Sequence, residues 1–239
     1  MAESAGEAAD CALTQSPRSL ADQSRSRDSR TFALLWAAYL MAVTGLTAYR
    51  AGSMSGMGVE GVRATGRMLL ACAAGGMAAL WPMVRLSQAP PDKPRAVAVA
   101  DVISILAPTQ AILWTMHFVV AWGWRASLAT GALLTSWGVL IAGVVLWGQM
   151  PGRGPRALWM AACLGLALVG PGAWVAFGLV SGHPGMEAAL LGSPISGVYA
   201  ITATAGGAPA QVGAAALVAA LAPGVIGGCL WRAARDDKK

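Results

Sequence analysis

The sequence predicts an all-α, polytopic membrane helical bundle with six transmembrane helices, and three observations carry that prediction. Of 239 residues, 56% are hydrophobic and only 12% are charged, against about 25% charged in an ordinary soluble domain. The charges cluster between uncharged stretches, which excludes a disordered chain, a coiled coil and a disulfide-stapled secreted module. Six of those stretches approach or exceed the roughly 20 apolar residues that a helix needs to cross a hydrocarbon layer of about 30 Å. They are apolar on every face, unlike the alternating strands of a membrane barrel.

The elements follow in order. Residues 1–31 are rich in Ser, Ala, Arg and Asp without apolar periodicity, and read as a disordered cytoplasmic tail rather than a signal peptide. The spans are 32–49, 68–84, 102–124, 126–147, 157–180 and 212–231, each free of Asp, Glu, Lys and Arg. The second is the shortest, at 17 residues, and can borrow a turn from Ala64–Arg67. Residues 232–239 form a basic cytoplasmic tail. No internal repeat and no Pro/Gly linker divides the apolar region, so 32–231 is one domain.

Orientation comes from the basic residues, which are retained on the cytoplasmic side near span ends. With the N-terminus inside, 13 of the 17 Lys and Arg fall on the inner side. Both termini are therefore expected in the cytoplasm. Trp36, Trp81, Trp147, Trp159 and Trp231 then lie at the inner interface, and Trp122 and Trp124 at the outer one, as an aromatic belt requires. The absence of Asn and the wealth of Gly, Ala, Val, Leu and Arg suggest a GC-rich bacterial genome, and hence the inner membrane. The formal charge of +6 is spread over four inner segments, which fits anchoring to anionic lipid better than nucleic-acid binding.

Chemistry is sparse. No catalytic motif is present, and Gly56-Met57-Gly58-Val59-Glu60-Gly61 spells the G-x-G-x-x-G of a dinucleotide-binding turn without the strand or βαβ context it needs. No enzymatic activity and no cofactor is expected. Cys11, Cys72, Cys163 and Cys229 lack metal-site spacing. The third span is the most polar, carrying Ser104, Pro108, Thr109, Gln110, Thr115 and His117, with Asp101 at its inner edge. Gln110 and His117 share one helical face; they serve either as interhelical hydrogen-bonding groups or as the lining of a pathway. The fifth span carries Gly170-Pro171-Gly172 near its centre, a break in helix propensity of the kind transporters place at binding sites, so Pro171 is a third pathway candidate. The sixth span has Pro223 and a small-residue pair at Gly224 and Gly228, suited to close helix approach.

The outer segment from Ser181 to Gln211 is too long for a plain connector. Ser193-Pro194 supplies an N-cap with Pro at the first helical position. Ile195, Val198, Tyr199 and Thr202 follow at helical spacing, predicting a short amphipathic helix at the outer face between the fifth and sixth spans, as a re-entrant or surface hairpin. His117, His183 and Met186, with Met54, Met57 and Met68, also fall on the outer side, where Cu(I) or haem ligation is an alternative use.

Six spans, cytoplasmic termini, a basic inner loop from Arg85 to Asp101, and a helical outer segment from His183 to Thr204 with Ser193-Pro194 resemble the permease subunits of ABC-2-type exporters. The resemblance covers nearly the whole chain and is one of topology. It implies a transporter subunit that works as a homodimer or with other membrane subunits and takes its energy from a separate ATPase. Docking would use Arg85, Lys93 and Arg95 in the first inner loop, and Arg153 and Arg156 in the second. The three prolines of Leu86–Arg95 leave little room for a helix before Ala96. The alternatives are a non-catalytic scaffold or assembly subunit of a larger membrane complex, and a haem- or copper-handling membrane protein.

Overall fold

The computed structural model describes residues 17–53, 58–91, 93–120, 122–150, 152–181, 192–203 and 212–236, and among these it contains helices and no strand. In chain order α1 is Pro17–Ser53. Helix α2 is built from Val59–Gly75, a π-helical turn at Gly76–Leu80, and Trp81–Ser87. Then come α3 (Pro94–Val120), α4 (Trp124–Gly148), α5 (Arg156–Ser181), α6 (Pro194–Ala203) and α7 (Val212–Asp236). Four segments are long and apolar enough to cross a membrane: Thr31–Arg50, Glu60–Ser87, Pro94–Val120 and Trp124–Gly148. They correspond to the first four spans read from the sequence, and they give the chain the character of a multi-pass membrane protein.

Helix α1 begins at Pro17, so residues 17–31 are helical where the sequence reading had a disordered tail; residues 1–16 lie outside the described residues. Once the first span is helical, adding residues at its end avoids the nucleation cost, and proline suits the first helical position because its missing N–H has no partner there anyway. Polarity excluded an apolar face but not a helix.

The π turn in α2 has a local cause. Pro82 has no N–H, and its ring would collide with the carbonyl of Ala78 in a regular helix. The preceding turn widens instead, and the N–H of Trp81 reaches the carbonyl of Gly76, five residues back. Gly76 also leaves space for the ring of Tyr39, whose hydroxyl donates to the carbonyl of Cys72 (2.7 Å). That bond pins α1 to α2 at the π turn.

Helix α4 is the centre of the bundle. Two-thirds of its most apolar window is buried, against 22% for α1 and 28% for α3, and it packs against α2, α3, α5, α6 and α7. Its closest neighbour is α7. A Cβ on Gly227 would lie 2.7 Å from the backbone N and Cα of Leu140, and one on Gly143 would lie 3.1 Å from the carbonyl of Gly227. Gly224 faces Ser136 in the same seam, whereas Gly228 faces open space. The small-residue contact therefore uses Gly224 and Gly227, and the expected partner Gly228 is replaced by a residue one position earlier.

Helix α6 is inserted among α2, α4 and α5 rather than resting on them. Ser193, Val198 and Thr202 are fully buried, Ile201 nearly so, and Tyr199 is substantially exposed. Its amphipathic spacing led us to expect a re-entrant or surface hairpin, and the burial of these residues matches the re-entrant alternative. Two glycines make deeper insertion possible: a Cβ on Gly197 would strike Leu133 Cδ2 at 2.7 Å, and one on Gly170 would stand 2.7 Å from Ser193 Cβ. The first residues of α6 lie beside Ala167, Gly170 and Gly75, near the middle of the long helices, while Thr202 at its other end meets Arg67, two turns into α2.

Candidate functional site

Helix α5 runs unbroken from Arg156 to Ser181 through Gly170-Pro171-Gly172. A residue with an N–H at position 171 would bond the carbonyl of Ala167, four residues earlier; Pro171 leaves it free. Ser193 fills the gap. Its hydroxyl donates to the Ala167 carbonyl and accepts the N–H of Ile195 (3.3 Å), so one side chain caps the start of α6 and completes α5. At the far end, Arg67 Nη2 donates to the carbonyl of Thr202 (3.0 Å), placing a cation on the negative end of the α6 dipole. The propensity break read from the sequence is thus a socket for α6.

Gln110 and His117 lie elsewhere, in the seam between α3 and α4. Gln110 Nε2 donates to the carbonyl of Gly131 and to Thr135 Oγ1, both at 3.0 Å. His117 Nδ1 and Ser127 Oγ share a hydrogen bond of 3.0 Å, with Trp114 and Phe118 edge-on to the imidazole. Gly131 and Leu133 are about 200° apart around α4, so the Gln110 seam and the α6 seam occupy different sides of that helix. The structure therefore brings Gln110 and His117 together and leaves Pro171 apart from them. A pocket of about 380 Å³ opens beside Gln110, lined also by Trp114, Leu128, Gly131, Ala132, Thr135 and Ser136.

A second polar cluster closes the end of the bundle that carries the basic loops. Arg85 and Asp101 form a bidentate ion pair, 4% and 2% exposed. Trp81 Nε1 donates to the same carboxylate (3.3 Å), the Phe32 ring lies 4.9 Å from the guanidinium carbon, and Gln149 Nε2 donates to the Arg85 carbonyl (3.4 Å). Helices α1, α2 and α3 and the loop after α4 thereby meet at one buried charge pair. Such a pair is tolerated because each charge is neutralised and hydrogen-bonded where it sits.

The remaining basic residues differ in availability. Lys93 is exposed. Arg95 Nη2 donates to the carbonyl of Ala234 (2.6 Å), and Arg156 Nη1 to that of Gln88 (2.8 Å), whose side chain in turn accepts from Arg85. Arg153 stacks on the ring of Trp147, its guanidinium carbon 4.2 Å from the centroid. The two basic loops are therefore fixed to each other through Gln88. Helix α3 starts at Pro94, two residues before the prolines were expected to allow it, and no separate helix precedes it among the described residues.

His183 and Met186 lie outside the described residues. Among those described, no group of three His, Cys, Asp or Glu could hold a metal ion. Sequence reasoning placed Ser193 correctly as the cap of α6 but missed its bond to Ala167 and the roles of Ser127 and Thr135 as partners. The signal for Ser127 and Thr135 was available: they are hydroxyls on the fourth span opposite the two most polar residues of the third. The pairing of Arg85 with Asp101 was also foreshadowed, since the two stand at the facing ends of consecutive spans. No family model, no curated protein and no solved structure matches this chain.

Proposed function

We propose that this chain is a non-enzymatic, permease-like subunit of a transporter in the bacterial inner membrane, energised by a separate ATPase. The observation that carries the reading is α6, a ten-residue helix inserted among the long helices, its first residues seated against the proline-bearing middle of α5. Short helices and irregular backbone at membrane depth are tolerated where protein surrounds them, and transport proteins place discontinuous helices there. Helices α5 and α7, at 26 and 25 residues, reach nearly 40 Å at about 1.5 Å per residue and complete six spans with both termini cytoplasmic. The basic end then faces the cytoplasm, where Lys93, Arg95, Arg153 and Arg156 form the docking face. Arg85 shapes that face from within through its bond to Gln88.

A second reading, a scaffold subunit of a larger membrane complex, draws on one observation: Gln110 and His117 spend their polar groups on α4, as residues that only hold helices together do. Tagged purification of the full chain from its native membrane in mild detergent, followed by mass spectrometry, separates the two. The permease reading expects a stoichiometric soluble ATPase in the wild-type preparation. The Lys93→Glu/Arg153→Glu double variant is expected to lose it while extracting normally. Recovery of other membrane subunits without any ATPase overturns the permease reading and leaves the scaffold.

A further inference from the structure

We infer that the pocket between α3 and α4 is a binding site for a compact, membrane-dissolved alcohol or phenol, held by a hydrogen bond from its hydroxyl to Gln110. The inference holds whether the chain transports or scaffolds, because it concerns only what occupies this seam.

Shape is the first argument. Gly131 and Ala132 form a shallow floor on α4, flanked by Trp114 and Leu128, in an open depression of about 380 Å³. That lies within the range of about 300–1,000 Å³ for small-molecule sites. Trp114 and Leu128 are 37% and 44% exposed and Thr135 is exposed as well. The pocket therefore opens on the outside of the bundle, where a bilayer presents acyl chains.

The hydrogen-bond inventory selects the ligand. A backbone carbonyl can only accept, so the bond to the Gly131 carbonyl fixes the Gln110 amide with its nitrogen toward α4. Thr135 accepts from the same nitrogen and gives its own proton to the Gly131 carbonyl (2.8 Å). Thr135 is thereby committed. Left over are Gln110 Oε1 and the hydroxyl of Ser136, neither with a partner among the described residues. Gln110 Oε1 lies against Gly131 in the pocket floor, and an unpartnered amide oxygen there carries a desolvation penalty that acyl chains cannot relieve, since they have no donor. A ligand hydroxyl supplies the donor to Gln110, while its apolar body lies between Trp114 and Leu128.

The test is photolabelling of the full-length chain in lipid vesicles with a diazirine-bearing medium-chain alkanol, run beside the matching diazirine alkane. Adducts are located by mass spectrometry of peptides. We expect alkanol adducts concentrated on the peptides carrying Trp114 and Leu128–Ser136, exceeding alkane adducts there by about fivefold, the ratio that one net hydrogen bond gives. Gln110→Leu should remove that preference while leaving alkane labelling. Ala132→Phe, which fills the pocket without touching the Gln110 bonds, should suppress labelling by both probes and retain the wild-type thermal midpoint. Equal labelling by alkanol and alkane in the wild type overturns the inference, as does a photocrosslink between two copies of the chain through Trp114 or Leu128.

Discussion

Replacing Asp101 by alanine is expected to destabilise the folded chain by about 3–5 kcal/mol, because it leaves the Arg85 guanidinium buried without its counter-charge. Arg85 is 4% exposed, and its position is held from several sides: by Phe32 beneath it, Gln88 at Nη1 and Gln149 at its carbonyl. It cannot swing into solvent without releasing the loops that meet there. Removing both partners has a different outcome. The Arg85→Met/Asp101→Leu variant buries two apolar side chains of similar length where two charges were, a change that is close to neutral or stabilising at buried pairs. Thermal unfolding of the full chain in mild detergent should show a midpoint roughly 10 °C lower for Asp101→Ala and near wild type for the double variant. A double variant as unstable as the single one would mean that the pair is a net source of stability and not a local neutralisation.

Gly227→Leu is the second large effect. Most overpacked sites relax by a few tenths of an ångström, at a cost of about 1–3 kcal/mol. Here the new Cβ would stand 2.7 Å from the backbone of Leu140 and from the carbonyl of Val139, so the obstacle is the main chain of α4 and has no rotamer to adopt. The helices must separate instead, and the contact between α4 and α7 is the most extensive in the bundle. Helix association in lipid rests on close packing with little hydrophobic gain, which leaves nothing to offset the loss. A cost of at least about 3 kcal/mol is expected, read as a lowered unfolding midpoint and reduced recovery from membranes. Gly228→Ala is the matched control: nothing lies within 4 Å of its Cβ, and its midpoint should stay within the spread of a neutral surface change.

These two sites also show where sequence legibility ends. The first four spans were readable because lipid demands a continuous run of apolar residues, and that demand is written locally. The Gly224–Gly228 spacing was readable as a close-approach motif, yet which glycine meets α4 depends on how α7 is rotated, and a three-residue step serves as well as a four-residue one. Helix α6 was legible as a helix from Ser193-Pro194 and the spacing of its apolar residues. The choice between a re-entrant and a surface position was not, because the clearance comes from Gly170 on another span and from its own Gly197 against Leu133. The same holds for Ser193, whose bond to the carbonyl freed by Pro171 joins residues 26 apart in sequence. Gln110 and His117 were recognised as facing protein, and hydroxyls on the fourth span were available as partners, but the crossing of α3 over α4 decides that Ser127 and Thr135 are the ones that meet them. Polar residues announce that a partner is needed, and packing decides which.

The most direct test of the architecture beneath the functional reading is cysteine accessibility, with Cys11, Cys72, Cys163 and Cys229 replaced by alanine and single cysteines introduced at Ser55, Ser193 and Lys238. A membrane-impermeant maleimide is applied to intact cells and then to opened ones. Six spans with a half-inserted α6 predict that Ser55→Cys is labelled on intact cells and Lys238→Cys only after opening. Ser193→Cys, buried against Ala167, should react in neither case until the protein is denatured. Labelling of Lys238→Cys on intact cells would contradict the cytoplasmic terminus, and labelling of Ser193→Cys as readily as Ser55→Cys would place α6 on the outer surface and remove the observation on which the permease reading stands.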